Sequence, residues 1–275
     1  MSQEVVETTK NYYDSDDADE FYYNIWGGED IHVGIYTKEG ESIFDASQRS
    51  VEKLASFVDN VIDENTKVLD IGAGYGGTAR FFVKKYGCHV DCLNLSDKEN
   101  ERNRNKNKDQ GLDDKIEVYG GNFEELPFED DTYDVVIAQD AILHSGNKEK
   151  VFEETARVMK DGGDFAFTDP MQADDCPPDV LNPVLERIHL DSMGSVKQYR
   201  DLASKFNMKE IAVEEMPDQL VNHYSSVRQQ IKDRYDEITK VCGKDYIDKM
   251  IEGLGHWVEK GKKGYLNWGF LHFKK

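Results

Sequence analysis

The chain has few cysteines and few prolines, with 4 cysteines and 6 prolines among its 275 residues. Its cysteines are Cys88, Cys92, Cys176 and Cys242, and no two of them form a CxxC pair. A structural zinc site usually contains such pairs, so the sequence does not predict one. We expect the four cysteines to be buried free thiols.

Long apolar runs are also missing. No stretch approaches the roughly 20 residues that a membrane-spanning helix needs. The first twenty residues, MSQEVVETTKNYYDSDDADE, lack the basic and apolar segments of a signal peptide. We therefore expect a cytoplasmic protein that does not interact with membranes.

Basic residues are outnumbered, since 34 Lys and Arg face 55 Asp and Glu, for a net charge of −21. Nucleic-acid binding depends on neutralising phosphates, so this balance disfavours a nucleic-acid partner. The acids are spread along the chain. This distribution fits a surface that favours solubility and also a protein of a salt-rich cytoplasm, and we favour the second interpretation.

Short apolar runs alternate with helix-like segments in the middle of the chain, which predicts a parallel sheet covered by helices. Ser42 is a plausible N-cap for a helix over 42–60. The predicted strands are 67–72, 89–96, 133–140 and 163–170, and the predicted helices between them are 78–87, 97–110 and 147–160.

The last third has a different pattern. Residues 179–206 predict helices with a break near Met193–Gly194, and a long charged helical segment follows at about 219–261. The segments 209–216 and 264–275 predict two strands that close the sheet as an antiparallel pair. We expect the helical parts to cover the carboxyl ends of the strands, where open parallel sheets bind ligands.

The densest glycine cluster lies in KVLDIGAGYGGTAR, residues 67–80, where four glycines fall within six positions. A glycine-rich turn between a strand and a helix lets a ligand approach the backbone. Dinucleotide-binding enzymes and methyltransferases that use S-adenosyl-L-methionine (SAM) both contain such a turn. The glycines alone do not distinguish them, because Gly77 also satisfies the dinucleotide pattern.

Asp70, two residues before Gly72, favours the SAM methyltransferases. Its carboxylate suits the ammonium group of SAM, which NAD lacks. The turn also lies some way into the chain, after an aromatic-rich segment, whereas NAD proteins more often begin with this strand. We therefore predict that Asp70, Gly72, Ala73 and Gly74 bind the methionine part of SAM.

Residues 60–170 resemble the class I SAM-dependent methyltransferases. Nearly the whole chain resembles the sarcosine/dimethylglycine N-methyltransferases of glycine-betaine synthesis, through DADEFYYNIWGGEDIHVGIY (17–36) and CLNLSDKENERNR (92–104). Phosphoethanolamine methyltransferases share the form of QDAILH (139–144) and WGFLHFKK (268–275).

This resemblance implies an α/β fold of the Rossmann-like class I type. Its sheet would have seven mostly parallel strands with an antiparallel last strand, and a helical lid would cover it. SAM would be the methyl donor, and no metal would be needed. The implied divisions are an N-terminal helical cap (1–60), a SAM-binding core (61–170) and a helical substrate lid (171–275) inserted among the last strands.

The resemblance also implies further SAM contacts. Asn94 replaces the acid that usually ends the second strand, and it can still bond the ribose hydroxyls. Asn122 would read the adenine amino group through its carbonyl, with Phe123 against the ring. Loop capping is the alternative role for both asparagines. Other residues implied to contact SAM are Tyr13 or its neighbour Tyr12, Tyr22, Ile31, His32, Leu95 and Gln139.

Asp140 and His144 lie four residues apart, so in a helical turn they would share a face. The resemblance places this pair at the catalytic position. His144 would orient the substrate or act as general base. Asp140 would hold the His144 ring or contact the SAM ammonium. The alternative is a capping aspartate and a packed histidine.

An acceptor with a carboxylate favours a bidentate arginine. The resemblance places Arg187 and His189 among the residues that contact the substrate, and Arg49 is the second candidate for the carboxylate. Trp26 would form a wall of the site, or else pack in the core.

Together these features predict a SAM-dependent N-methyltransferase that converts sarcosine and dimethylglycine towards glycine betaine, as a monomer or homodimer. Another small amine, such as glycine or phosphoethanolamine, is the alternative acceptor. The predicted lid has few clustered basic residues, which weighs against a phosphate. A non-catalytic SAM-binding module is disfavoured by the intact glycine turn.

Overall fold

The computed structural model describes residues 3–188, 190 and 192–275, except for the side chains of residues 3–6. Its strands are β1 (Lys67–Ile71), β2 (His89–Asn94), β3 (Ile116–Gly120), β4 (Tyr133–Gln139), β5 (Met159–Gln172), β6 (Lys209–Glu215) and β7 (Leu266–Lys274). They form one seven-stranded sheet in the order β3-β2-β1-β4-β5-β7-β6. Strands β1 to β5 pair in parallel, and β7 runs antiparallel to both β5 and β6. The fold is therefore that of the class I SAM methyltransferases, as predicted.

The helices flank this sheet and cover one of its edges. They are α1 (Gln3–Tyr13), α2 (Asp16–Trp26), α3 (Ile43–Val58), α4 (Gly77–Tyr86), α5 (Asp97–Asp109), α6 (Lys148–Val158), α7 (Asn182–Arg187), α8 (Val196–Lys205), α9 (Pro217–Asp233), α10 (Tyr235–Ile238) and α11 (Lys244–Lys262). A short 3-10 turn, Ile142–His144, precedes α6. The predicted cap at Ser42 is confirmed, because its side chain accepts the backbone N–H of Asp45.

One strand differs from the sequence-based prediction. Strand β3 was not among the predicted apolar runs. It is a five-residue edge strand in which only Ile116 is fully buried, so it carries little apolar pattern. The charged segment 219–261 is helical, as predicted, and consists of α9, α10 and α11.

Adjacent residues of the central strands face opposite sides of the sheet, because side chains alternate along a strand. Val68 belongs to the same buried cluster as Leu54 of α3 and Phe82 of α4, while Leu69 belongs to a second cluster that contains Phe152 of α6. Both faces of β1 are therefore buried, as expected for a central parallel strand. Three of the four predicted buried thiols are confirmed, and Cys176 is partly exposed.

The parallel register brings the carboxyl ends of β1, β2 and β4 to one edge of the sheet. Asp70 pairs with Cys92 on one side and Ile137 on the other. Helix α1 is tied over this edge, since Lys10 forms an ion pair with Asp97, the first residue of α5. No helix in the described part of the chain is both long and apolar enough to cross a bilayer.

Candidate active site

The glycine turn joins β1 to α4 at this edge. Gly72 has φ +77°, and an added Cβ would collide with the side chain of Ala141. The backbone N–H of Gly72 donates to Leu93 O at 2.7 Å, which holds the turn against β2. Only glycine meets both requirements at this position, because positive φ and a close approach each disfavour a side chain.

A cavity of about 890 Å³ opens over this turn. The predicted cofactor residues that line it are Tyr13, Ile31, His32, Asp70, Gly72, Ala73, Gly74, Asn94, Leu95, Asn122, Phe123 and Gln139. We call it the cofactor cavity. Tyr22, the remaining predicted cofactor residue, does not line it.

The cofactor cavity is lined by acids. Asp30, Asp70, Glu99 and Asp140 all border it, and its described lining includes no lysine or arginine. A pyrophosphate would meet four acidic side chains and no lysine or arginine, and the one histidine beside Asp30, His32, already pairs with that acid. A ligand that carries positive charge, as SAM does on its sulfonium and ammonium groups, is electrostatically matched to this lining.

Asp70 fits the predicted ammonium contact. Its side chain is 3% exposed, and its Oδ2 has no hydrogen-bond partner among the described residues. Burial, and then the charge of Asp30, raise the pKa of Asp70 to about 7. A buried carboxylate without a partner is costly, so a bound ammonium would relieve both the missing bond and the desolvation.

Glu99 is a residue that the sequence analysis missed. It is buried, lines the cofactor cavity and accepts from Asn94 Nδ2 at 2.8 Å. Burial raises the pKa of Glu99 to about 7. The acid absent from the end of β2 is thus present on α5, one helical turn after the strand, a position that the strand pattern did not indicate.

Asn122 lines the cofactor cavity and also caps its loop. Its Oδ1 accepts the backbone N–H of Glu124 at 3.0 Å, so the proposed adenine acceptor is already engaged. The capping alternative is therefore present in the structure, and the Asn122 amide retains its NH₂ donors for a ligand.

A second cavity, of about 780 Å³, adjoins the first. We call it the acceptor cavity. The residues that border both cavities are Thr9, Tyr13, Ile31, His32, Asp140 and His144. Its own lining is rich in aromatic side chains, including Tyr22 and Trp26 from α2, Tyr224 from α9 and Trp257 from α11.

Arg187 is the one lysine or arginine in the described lining of the acceptor cavity. No carboxylate of a described residue lies within ion-pair distance of it, and its hydrogen bond with the described residues is to Met250 Sδ at 2.6 Å. Gly253 of α11 leaves room for the Arg187 side chain, since an added Cβ there would collide with it. The guanidinium is therefore held in place with most of its five donors free for a ligand.

His144 and Tyr13 meet where the two cavities join. The Tyr13 hydroxyl lies 3.0 Å from His144 Nε2. Burial, then the charges of Lys148 and Arg187, lower the pKa of His144 to about 4. Burial also raises the pKa of Tyr13 well above its ordinary value, so both groups are neutral near pH 7.

Asp140 does not hold the His144 ring, contrary to the first of its two predicted roles. Residue 140 has φ +52° and does not continue a helical turn towards His144. Its carboxylate accepts from the backbone N–H of Val33, the Thr168 hydroxyl and the Trp268 indole, at 2.6–2.8 Å. Asp140 therefore joins the segment after α2 to β5 and β7, while still bordering both cavities.

Three further predicted residues have different outcomes. Arg49 borders neither cavity, because its guanidinium pairs with Glu41 and with the carbonyl of Ile35. Trp26 lines the acceptor cavity and donates from its indole to His32 O. His189 lies outside the described residues. Among the described residues, no group of three histidine, cysteine or acidic side chains could hold a metal ion.

Comparison with known proteins agrees with this geometry. The family model described as a methyltransferase domain matches residues 69–167. A crystal structure from Galdieria sulphuraria, provisionally assigned as a sarcosine dimethylglycine methyltransferase, has a TM-score of 0.92 and 46% identity over 96% of this chain and 98% of that chain. The Haemonchus contortus phosphoethanolamine N-methyltransferase 2, solved with phosphomonomethylethanolamine and S-adenosylhomocysteine, shares the fold. Its TM-score is 0.82 at 19% identity, over 97% of this chain and 60% of that chain.

The sequence relationship extends beyond the fold. A sarcosine/dimethylglycine N-methyltransferase from Aphanothece halophytica is 54% identical over 98% of this chain and 98% of its own length. Identity at this level over almost the whole of both chains shows that this chain belongs to the family of sarcosine/dimethylglycine N-methyltransferases.

Proposed function

We infer that the protein transfers methyl groups from SAM to the amine nitrogen of sarcosine and of dimethylglycine, leading to glycine betaine. The observation that carries this inference is the pairing of the two cavities. An acid-lined cofactor cavity suits a cationic donor, and the adjoining acceptor cavity presents one arginine to an anionic acceptor.

When bound, SAM supplies a methyl group on a sulfonium, ready for in-line displacement. Asp70 would hold its ammonium, the glycine turn its methionine end, and Asn94 with Glu99 its ribose. Phe123 would lie against the adenine. These roles follow from the lining of the cofactor cavity and from the unpartnered Asp70 carboxylate.

Arg187 would bind the carboxylate of the acceptor and so fix its amine relative to the junction of the cavities. A guanidinium matches a carboxylate with two parallel hydrogen bonds. This contact orients the nitrogen without touching it. Positioning of this kind is the main contribution a protein makes to a displacement whose nucleophile belongs to the substrate.

Tyr13 and His144 would keep that amine neutral and oriented. In the tautomer with hydrogen on Nδ1, neutral His144 accepts the Tyr13 hydroxyl through Nε2. The Tyr13 oxygen then keeps lone pairs for the single N–H of sarcosine. Since a protonated amine has no lone pair, neutral polar groups at the junction favour the reactive form.

The aromatic walls suit a product that carries a fixed positive charge. The Tyr13 and Tyr22 ring centroids lie 5.7 Å apart, and those of Tyr22 and Trp26 lie 5.2 Å apart. Aromatic faces attract quaternary ammonium groups through cation–π interactions. They also shield this nitrogen from water. After full methylation the nitrogen has no N–H left to donate to a polar wall.

Methyl transfer should be measured with glycine, sarcosine, dimethylglycine and phosphoethanolamine side by side, at low and at high salt. We expect turnover with sarcosine and dimethylglycine. Phosphoethanolamine should be a poor substrate, because one arginine offers little charge to a phosphate dianion. Turnover with phosphoethanolamine alone would contradict the proposed acceptor, and no methyl transfer to any of the four would contradict the proposed reaction.

Replacing Asp70 with asparagine should weaken SAM binding about 10- to 100-fold, the range expected for losing a hydrogen bond to a charged group. In the wild type, the SAM Kd should rise as the pH falls from 8 to 6. Asp70 becomes protonated in that interval, because its pKa is about 7, and a neutral carboxyl no longer attracts an ammonium. Asp70→Asn should flatten this dependence in part, since Glu99 titrates nearby.

Isothermal titration calorimetry across this pH range would measure both effects. Asp91→Asn is the matched control. Asp91 is also a partly buried acid, bonded to the Tyr133 hydroxyl at 2.7 Å, but it borders neither cavity. Equal SAM affinities for Asp70→Asn and the wild type would rule out the ammonium contact.

The proposed partner is thus a small amine with a carboxylate. The net charge of −21 weighs against nucleic acid as a further partner. We propose a monomer or homodimer, which sedimentation analysis of the purified protein would distinguish.

A further inference from the structure

We propose that Lys148 and Asp169, which border neither cavity, position His144 by holding the backbone of the turn that carries it. This inference rests on the proposed function, since it assumes that His144 faces the reacting amine. It adds two residues to the machinery that the sequence did not indicate.

The turn Ile142–His144 is held from two sides. On one side, Asp169 of β5 accepts the backbone N–H of Leu143 at 2.9 Å. On the other, the Lys148 ammonium donates to Leu143 O at 3.3 Å and to Ser145 O at 3.0 Å. The backbone of Leu143 and of Ser145, the residues on either side of His144, is therefore bonded to buried polar side chains.

The Asp169 and Lys148 side chains are both buried. Asp169 is fully buried and Lys148 is 7% exposed. Tyr199 of α8 donates its hydroxyl to the second oxygen of Asp169. Buried charges are rare and costly unless they are hydrogen-bonded, and here their bonds converge on one short turn. Neutral hydrogen-bonding groups would be enough if the turn Ile142–His144 had a purely structural role.

The same strand supports the other side of the site. Thr168 bonds Asp140, Asp169 bonds Leu143, and Pro170 lines the acceptor cavity. Three consecutive residues of β5 thus set the positions of Asp140, the His144 turn and the cavity wall. A shift of the His144 turn would move Nε2 away from the Tyr13 hydroxyl.

Lys148 also acts on the charge state of His144. Several ionisable groups surround this histidine from the elements packed against it: Tyr13, His32, Asp140, Lys148, Asp169, Arg187 and Tyr224. Burial is the main cause of the low His144 pKa, and the positive charges of Lys148 and Arg187 add to it. Replacing the Lys148 ammonium with a neutral side chain therefore favours the imidazolium form of His144.

The test combines kinetics with a direct titration of His144. Protein labelled with ¹³C at histidine Cε1 should be titrated by NMR, and the His144 signal assigned by its loss in His144→Asn. We expect the wild-type signal to titrate near pH 4. In Lys148→Met its midpoint should move up towards the ordinary histidine value, while Lys148→Arg and Asp169→Asn should leave it low.

In parallel, kcat with sarcosine should fall at least about 10-fold in Lys148→Met, with the KM for SAM within about twofold. Lys160→Met is the matched control, because Lys160 pairs with Asp134 at the opposite edge of the sheet. The control should change neither kcat nor the His144 midpoint. Wild-type turnover tests the acceptor assignment separately, and the titration reports on Lys148 whichever amine is methylated.

An unchanged His144 midpoint together with an unchanged kcat in Lys148→Met would overturn the proposal. Should Lys148→Met fail to fold, Tyr199→Phe decides, because it removes only the hydroxyl that bonds Asp169. We expect this variant to lose kcat several-fold with unchanged KM values. A Tyr199→Phe enzyme that is less stable to heat but keeps its kcat would show that the cluster is structural only.

Discussion

Replacing Arg187 with methionine is expected to raise the KM for sarcosine and dimethylglycine by about 30-fold to several thousand-fold. This range corresponds to the about 2–5 kcal/mol that is lost when one partner of a buried, hydrogen-bonded charge pair is removed. The kcat should change much less, because the guanidinium contacts the carboxylate rather than the reacting nitrogen, and so binds ground state and transition state alike.

The prediction rests on an arginine with no carboxylate partner among the described residues, set in a cavity whose one described acidic side chain is Asp140. Arg187→Lys should recover part of the affinity, since it keeps the charge but loses the fork geometry. Initial rates over a wide range of acceptor concentrations would separate KM from kcat.

Arg200→Met is the matched control, because Arg200 forms an exposed ion pair with Glu210 far from both cavities. An acceptor without a carboxylate, such as dimethylethanolamine, supplies a second control. Its turnover should be poor in the wild type and little affected by Arg187→Met. Equal loss with both acceptors would mean that Arg187 shapes the cavity rather than binds a carboxylate.

Replacing His144 with alanine is expected to lower kcat by about 100- to 10,000-fold, the range found when a positioned acid–base or orienting group is removed. His144 Nε2 lies 3.0 Å from the Tyr13 hydroxyl at the junction of the cavities, so loss of the imidazole leaves this hydroxyl free to turn away from the amine. Single-turnover rates at saturating SAM would measure the effect on methyl transfer itself.

Tyr13→Phe provides the test of whether the two side chains act as a unit. Residues that act together lose activity non-additively, so the double variant should be little worse than His144→Ala. His89→Ala is the control, since His89 is exposed at the start of β2. Additive losses, or a His144→Ala enzyme with wild-type kcat, would contradict the pairing.

Much of the fold could be read from local pattern. The runs that became β1, β2, β4 and β5 are apolar enough to be buried, and the segments between them have helical character. Strand β3 was not predicted, because a strand at the edge of the sheet needs few apolar residues and so shows little apolar pattern. The helical character of 219–261 was predicted, but the pattern did not indicate the turns around residues 234 and 239–243 that divide this segment into three helices.

The site was predictable where chemistry and spacing are local. Asp70 before the glycine turn is a pattern of adjacent residues, and the structure leaves its Oδ2 free for a ligand as that pattern implied. Glu99 could have been found by asking which acid on α5 lies next to Asn94, the residue that replaces the usual acid at the end of β2. The strand pattern gave no reason to look there, because the compensating residue belongs to the next helix.

The roles of Asp140, Arg49 and Arg187 depended on partners that are distant in the chain. Asp140 and Arg49 are both engaged by neighbours, whereas Arg187 is free of carboxylates among the described residues. The sequence does not distinguish a charged residue that already has a partner from one that is available to a ligand. Only the folded chain decides whether its charge is already neutralised.

Residue order by itself determined the parallel sheet, the glycine turn with its preceding acid, and the class of cofactor. Each depends on alternation, helical spacing or adjacency, which are properties of a few consecutive residues. The family resemblance implied that Tyr13, His144 and Arg187 belong to the site, but only the tertiary structure shows that the Tyr13 hydroxyl meets His144 and that Lys148 and Asp169 hold the turn beneath it. Such meetings depend on how separate helices pack against the sheet, and no local periodicity encodes which side chains will touch.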